Sequence, residues 1–221
     1  MRVLVLDTAL GACQAGLFDG DTALAVLERP MEQGGMERIA GLTRDLMRTA
    51  GVGFDSLDRI GVTTGPGSFT GLRVGLAFAQ GLGAALGRPV IGLSSLDGLA
   101  ASVMAQGVVM AAIDARRGQV YARVFRDGAA VGPAEALTLA EATARAAALG
   151  PDLRLVGSGA PLLTEGLDRP QVVGLAAPSL AAMARLTRAA DSETAPPRPQ
   201  YLRAPDAKPP TRRPGAPRPT T

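Results

Sequence analysis

The sequence has 221 residues, of which 47% are hydrophobic and 19% charged, a composition typical of a globular chain with a sizeable core. It contains no histidine, which excludes Ser-His and Cys-His nucleophile pairs and the commonest zinc ligands. The net charge of +3 is uneven, because residues 196–221 hold six basic residues and one acidic residue and the rest of the chain is slightly acidic.

No stretch approaches about 20 uninterrupted apolar residues, and Asp7 falls where a signal peptide would continue its apolar run. We therefore expect a cytoplasmic protein without a membrane span. The single cysteine, Cys13, is expected to be a small buried apolar residue rather than half of a disulfide. Aromatic residues make up 3% of the chain, so the sequence does not predict an extended base-stacking surface.

Strands and helices alternate along the first hundred residues. Apolar residues at spacings of three, four, seven and eight predict a helix over 32–50, which Gly51 ends. A second helix, 68–86, follows a glycine-rich turn and ends before Gly87. Short apolar runs bounded by turn residues predict strands at 3–7, 12–18, 22–27, 59–63 and 90–93.

The pattern restarts near residue 108. Leu6-Asp7 matches Ile113-Asp114 at an offset of 107 residues, and Phe18 then matches Phe125. Two copies of a long unit indicate a duplicated domain in which mixed sheets are flanked by helices. The second half carries weaker strand signals and a last helix near 179–190.

These features predict an α/β chain of two lobes and a tail. We expect the first lobe at 1–100, a smaller second lobe at 101–195, and a basic, proline-rich tail at 196–221. Tyr201 and Leu202 are expected to anchor the start of this tail to the body of the protein, and its end is expected to be flexible.

The turn at residues 65–71, GPGSFTG, is the first candidate site. Exposed N–H groups at a helix start can bind an anion, but the segment lacks the Lys-Ser/Thr of a Walker A loop. The alternative, which we favour, is a tight turn in which Ser68 or Thr70 caps the helix.

The helix after this turn carries a ridge of small residues, Gly71, Gly75, Ala79 and Gly83. A glycine inside a helix costs about 1 kcal/mol relative to alanine, so such a ridge calls for a structural reason. Close approach of another helix is one such reason, and we predict that a partner helix packs there.

Two acids that end strands, Asp7 and Asp114, are the second candidate site. Carboxylates facing a cleft between lobes can hold magnesium or orient a water molecule. Asp7 with Thr8 resembles part of a phosphate-binding loop, whereas Arg116 and Arg117 follow Asp114 where such a loop needs small residues. We favour a structural role for both acids and interpret Asp7, Thr8 and Asp114 as a vestigial nucleotide cleft.

Residues 65–75, GPGSFTGLRVG, closely resemble the signature of the TsaB (YeaZ) family, subunits of the bacterial tRNA threonylcarbamoyladenosine synthase. Residues 5–9 (VLDTA), 88–96 (RPVIGLSSL), 201–203 (YLR) and 206–208 (DAK) are also similar to that family, so the likeness covers nearly the whole chain. The resemblance implies a two-lobed actin/Hsp70-like ATPase fold.

The resemblance also implies a function. The chain would be a non-catalytic subunit that binds and activates TsaD, the metal-containing catalytic paralogue. With a TsaE-like ATPase, that pair would transfer threonylcarbamoyl to the tRNA adenosine next to the anticodon, so that the chain reaches tRNA indirectly. No cofactor of its own is expected, ATP would bind at the interface of the complex, and the chain alone would form a homodimer.

The resemblance further implies a partner surface on the two helices of the first lobe. TsaD-like relatives bind metal through two histidines on the first helix, and the matching stretch here, 36–40 (MERIA), has none, so no metal site is expected. The partner residues carried over are Met36, Ile39, Ala40, Thr43 and Met47 on the first helix and Gly71, Gly75, Ala79 and Gly83 on the second.

Two other functions stay open at this point. One is an autonomous ATP-dependent small-molecule kinase of the actin-like fold, whose magnesium-dependent ATP binding would be lost on Asp7→Ala. The other is direct tRNA binding through the basic tail, which truncation after Lys208 would weaken with a reduced salt dependence. We expect that truncation to have little effect in the isolated subunit.

Overall fold

The computed structural model describes residues 1–30, 35–103, 106–168 and 170–203, without the side chains of residues 35–37. Its first half forms a five-stranded mixed sheet, sheet 1, in the order β3-β2-β1-β4-β5. The central strand β1 pairs antiparallel with β2 and parallel with β4. The strands are β1 Arg2–Asp7, β2 Ala12–Asp19, β3 Thr22–Pro30, β4 Arg59–Gly65 and β5 Val90–Ser94.

The second half repeats this topology in sheet 2, whose order is β8-β7-β6-β9-β10. Strands β7 and β8 each begin 107 residues after β2 and β3, the offset found in the sequence. The predicted duplication and two-lobed α/β fold are therefore confirmed. The strands are β6 Val108–Arg116, β7 Gln119–Arg126, β8 Ala129–Thr138, β9 Arg154–Val156 and β10 Gln171–Val173.

Five α-helices lie in the described part of the chain. The predicted second helix is confirmed, since α2 begins after Ser68, whose hydroxyl accepts the Gly71 N–H at 3.2 Å, and ends at Gly87 with a φ of 63°. The predicted last helix is confirmed as α5, while α3 was not predicted. The helices are α1 Gly35–Ala50, α2 Phe69–Leu86, α3 Ser95–Ser102, α4 Leu139–Ala148 and α5 Leu180–Ala189.

The two lobes exchange their last helices. Helices α1 and α2 cover one face of sheet 1, and α5 covers the other through Leu180, Met183 and Ala184. In sheet 2, α4 covers one face, and α3, which follows sheet 1 in the chain, covers the other. The predicted boundary near 100 falls between the two sheets, but the second lobe predicted at 101–195 includes α5, which covers sheet 1.

Sheet 1 is therefore apolar on both faces. The residues Val3, Leu4, Val5 and Leu6 of β1 are all fully buried, as expected of a central strand with helices on both sides. Among the described helices, α2 alone is long and apolar enough to cross a membrane. Here it packs on sheet 1.

Candidate functional site

The glycine-rich turn is closed by backbone contacts with the hairpin between β1 and β2. The N–H of Ser68 donates to the carbonyl of Ala9 at 2.8 Å, and a Cβ at Gly67 would overlap with the same Ala9 carbonyl. Gly65 has a φ of 109°, which favours glycine, and a Cβ there would lie 2.9 Å from the Gln200 carbonyl. The turn thus caps α2 and packs against its neighbours, in agreement with the structural interpretation of GPGSFTG.

The ridge of small residues on α2 faces sheet 1. A Cβ at Gly75 would overlap with the Thr8 hydroxyl, and one at Gly83 would overlap with Val90 and lie 3.0 Å from the Arg88 carbonyl. Ala79 is fully buried in the same core. The prediction that a partner helix occupies this ridge was wrong, because the small residues let α2 approach the chain's own sheet.

The predicted partner residues on α1 divide in the same way. Ile39, Thr43 and Met47 are buried, and the Thr43 hydroxyl donates to the Ile39 carbonyl at 2.7 Å. Ala40 is exposed. The side chain of Met36 lies outside the described residues. Of the predicted residues on the two helices, only Ala40 is therefore described as accessible from outside.

The outer face of α2 is mostly apolar, with Arg73 and Gln80 among its polar residues, and it carries small residues of its own. Ala77, Gly81, Ala84 and Ala85 are exposed, and nothing lies within 4 Å of the position of a Cβ at Gly81. Arg73 is the only charged residue among the 18 of the helix. This face could not be told from the buried ridge by sequence, because small residues lie on both.

Asp7 and Thr8 are buried, and each makes hydrogen bonds to sheet 1, α2 or the turn between β1 and β2. One carboxylate oxygen of Asp7, Oδ1, accepts the Ala9 N–H at 2.8 Å and the Thr63 hydroxyl at 2.7 Å. Burial raises the pKa of Asp7, against the lowering effect of these two hydrogen bonds. The Thr8 hydroxyl donates to the Gly71 carbonyl at 2.7 Å. Neither residue lines the cleft, which corrects their prediction as cleft residues.

Asp114 does line a cleft between the lobes, of about 450 Å³, with Ser68, Ser158 and Tyr121. Its carboxylate accepts the Arg116 N–H at 2.7 Å and pairs with the Arg116 guanidinium at 3.2 Å. The charged partner of Asp114 is therefore Arg116, two residues along the chain. Among the described residues, no three His, Cys, Asp or Glu side chains lie together as a metal site would need.

Cys13 is 1% exposed, which confirms its prediction as a buried apolar residue. Burial, followed by the charge of Asp7, raises the pKa of its thiol to about 11, and Arg38 opposes this. The thiolate that would act as nucleophile is therefore scarce at neutral pH.

The C-terminal segment, residues 191–203, crosses from one lobe to the other. The Gln200 N–H donates to Thr64 of sheet 1 at 2.8 Å, and Arg203 donates to the Ala115 carbonyl of sheet 2 at 2.8 Å. Tyr201 lies against Phe69, and Leu202 packs in the core between α3 and sheet 2. The predicted anchoring by Tyr201 and Leu202 is confirmed, while the residues after 203 lie outside the described chain.

The sequence is similar to proteins of tRNA modification. A family model described as TsaD, tRNA N6-adenosine threonylcarbamoyltransferase, matches residues 32–147. The tRNA threonylcarbamoyladenosine biosynthesis protein TsaB of Escherichia coli is 39% identical over 130 residues, which are 55% of this chain and 53% of that protein. The match thus spans about half the length of this curated relative.

Other relatives match over nearly their whole length. An uncharacterized protein of Mycobacterium tuberculosis is 36% identical over 210 residues, 94% of each chain. The solved structure of YeaZ from Pseudomonas aeruginosa is similar with a TM-score of 0.73 at 27% identity, over 91% of this chain and 99% of that one.

Proposed function

The chain belongs to the TsaB (YeaZ) family, and on that premise we propose that it acts in tRNA threonylcarbamoyladenosine biosynthesis as a non-catalytic subunit. Its role is to bind and activate a TsaD-like catalytic subunit. A TsaE-like ATPase joins the pair, and the chain has no cofactor of its own, so that ATP binds at the interface of the complex. Without that subunit, the chain forms a homodimer through the surface that would otherwise bind the TsaD-like protein.

The observation that carries this proposal is the outer face of α2. Ala77, Gly81 and Ala84 lie three or four residues apart, so they share one side of the helix, and all three are exposed. An exposed apolar helix face of this kind favours association with another protein. Because the position of a Cβ at Gly81 is open, the backbone of a partner helix can approach closely there.

The chemistry of the cleft supports a non-catalytic role. Asp7 and Thr8, which a kinase of this fold would direct at magnesium and phosphate, are buried and engaged in hydrogen bonds of their own. Asp114 pairs with Arg116. The chain also has no histidine to serve as a general base. These features count against the alternative of an autonomous kinase.

Co-purification with the TsaD-like protein of the same cell tests the proposal. Gly81→Glu places a charge on the outer face of α2, at a position where a Cβ meets no neighbour, so we expect the chain to fold and to lose its partner. Ala144→Glu, at an exposed position of α4 in the other lobe, is the matched control and should leave binding unchanged. Equal recovery of the partner with Gly81→Glu would refute this interface.

A further inference from the structure

Two exposed aromatic side chains meet at the beginning of α2. The chain has five phenylalanines and two tyrosines, and of these seven aromatic residues only Phe69, at 51%, and Tyr201, at 47%, are exposed in the described structure. Their ring centroids are 5.5 Å apart. Tyr201 is brought to Phe69 by the C-terminal segment, which explains why the sequence did not predict that the two residues meet.

Arg73 completes this cluster. Its guanidinium carbon lies 3.8 Å from the centroid of the Phe69 ring, and its Nε donates to the Tyr201 hydroxyl at 3.3 Å. Arg73 makes no ion pair with any carboxylate of the described residues. A stacked guanidinium with unneutralised charge, beside two half-exposed aromatic rings, is suited to planar anionic ligands.

Two more arginines, Arg203 and Arg116, lie at the β6–β7 hairpin, and Arg116 lines the cleft. Arg203 holds the C-terminal segment on the β6–β7 hairpin, where it donates to the Ala115 carbonyl and the Gln119 side chain, both at 2.8 Å. Next to this contact lies Arg116, whose side chain is 85% exposed and pairs with Asp114 at 3.2 Å. Phe69, Arg73, Tyr201, Arg203 and Arg116 together form what we call the basic-aromatic strip.

The tip of the β6–β7 hairpin keeps its arginines at a conformational cost. Arg116 and Arg117 have φ angles of 60° and 56°, a left-handed region that is unfavourable for such side chains. The corresponding hairpin of sheet 1 has Ala9 and Leu10, neither with a positive φ. Strain of this kind is commonly retained at functional sites, where the side chain is needed for binding.

We propose that the basic-aromatic strip binds RNA directly, stacking unpaired bases on Phe69 and Tyr201 and contacting phosphates through Arg73 and Arg116. RNA is distinguished from an acidic protein by its bases, which stack on aromatic rings and guanidinium planes. The tail continues from Arg203 with Lys208, Arg212, Arg213 and Arg218. This inference rests on the proposed function, which supplies tRNA as the ligand. It differs from the expectation that the chain reaches tRNA only indirectly, through the complex.

The test measures binding of an unmodified tRNA transcript and of a single-stranded RNA oligonucleotide to the full chain, alone and with the TsaD-like protein. Phe69→Ala and Tyr201→Ala should each weaken binding roughly tenfold. Arg73→Ala should also weaken binding and reduce the slope of log affinity against log salt by about 0.7. Arg73→Lys should restore the salt slope but not the whole affinity, because lysine lacks the guanidinium plane.

The controls are Val131→Ala, which removes an exposed apolar residue of β8, and Arg126→Ala, which removes an exposed arginine of β7. Both should bind RNA as the wild type does, and thermal unfolding verifies that all variants fold. The inference is overturned if the strip variants keep wild-type RNA affinity, if they lose the TsaD-like partner instead, or if the wild type binds RNA under neither condition. Loss of the partner in Gly81→Glu alone bears on the proposed function, so the two failures are distinguishable.

Discussion

Asp7 is a buried carboxylate at a position where the sequence suggested a functional residue. It ends β1, where the sequence suggested a residue of a nucleotide cleft, yet it is 1% exposed. Its Oδ1 accepts two hydrogen bonds, whereas its Oδ2 has no partner among the described residues. Gln14 lies opposite Asp7 in the register of β1 and β2, and its Oε1 also lacks a described partner. A charged Asp7 is therefore a source of instability.

The replacement Asp7→Asn should stabilise the protein at pH 8 by about 1 kcal/mol. The amide oxygen keeps the hydrogen bonds from Ala9 and Thr63, the charge is removed, and the amide N–H₂ offers a donor on the side of Gln14. Because burial raises the pKa of Asp7 in the folded state, the folded protein binds more protons than the unfolded chain above the ordinary carboxyl pKa of about 3.9.

Wild-type stability should therefore fall as the pH rises through the interval from about 3.9 to the raised pKa, and the gain from Asp7→Asn should vanish near pH 4. Urea unfolding between pH 4 and 8 measures this difference. The exposed Asp152→Asn is the control and should show no such trend. A variant less stable than the wild type at pH 8 would mean that the Asp7 charge is compensated.

At the scale of elements, the sequence predicted α2 well but not its orientation. Its start after Ser68 and its end at Gly87 follow from a cap and a glycine stop. The ridge of Gly71, Gly75, Ala79 and Gly83 correctly indicates close packing, but a period of four does not say whether a sheet or a helix lies opposite. Only the tertiary position of Thr8 and Val90 decides that the ridge faces sheet 1.

Helix α3 was missed although a local signal exists. Ser94 accepts the Asp97 N–H at 3.4 Å, and the sequence SSLD matches the start pattern of a capped helix. The preceding strand signal at 90–93 runs into this apolar segment, which obscured the change of periodicity. The exposed pairing of Phe69 with Tyr201 lay beyond sequence reasoning, because 132 residues separate them and no local pattern links them.

Two glycines of α2 should respond oppositely to alanine. Gly75→Ala should destabilise the protein by about 1–3 kcal/mol, because its methyl group would displace Thr8 from its hydrogen bond to Gly71. Gly81→Ala meets nothing and should stabilise by up to about 1 kcal/mol through helix propensity. Thermal and urea unfolding measure both changes.

A bulky residue at Gly75 should act through the fold and not through an interface. Gly75→Leu should reduce partner binding only by disrupting the fold, whereas Gly81→Glu should do so in a folded chain. A Gly75→Ala variant as stable as Gly81→Ala would show that the ridge tolerates side chains and that α2 is less tightly packed on sheet 1.

The whole molecule is held together by the exchange of helices between lobes. Helix α5 covers the face of sheet 1 that includes Val3, Val5 and Ile91. Helix α3 covers one face of sheet 2, where its residue Leu99 lies in the core. An ion pair between Asp97 of α3 and Arg123 of β7, at 2.8 Å, links the same two parts. Each lobe thus depends on residues that belong, in sequence, to the other.

A fragment of residues 1–103 should therefore fail to fold on its own. Without α5, the side chains of Val3, Val5, Phe18, Ile91 and Leu93 would be exposed on one face of sheet 1. At roughly 1.5–3 kcal/mol for each large apolar side chain removed from its core, the loss is comparable with the net stability of a small domain. The matched control, residues 1–203, keeps α5 and should unfold in one cooperative transition. Far-UV circular dichroism melts and binding of a hydrophobic dye compare the two, and a cooperative melt of fragment 1–103 would show that sheet 1 needs no cover from the second half.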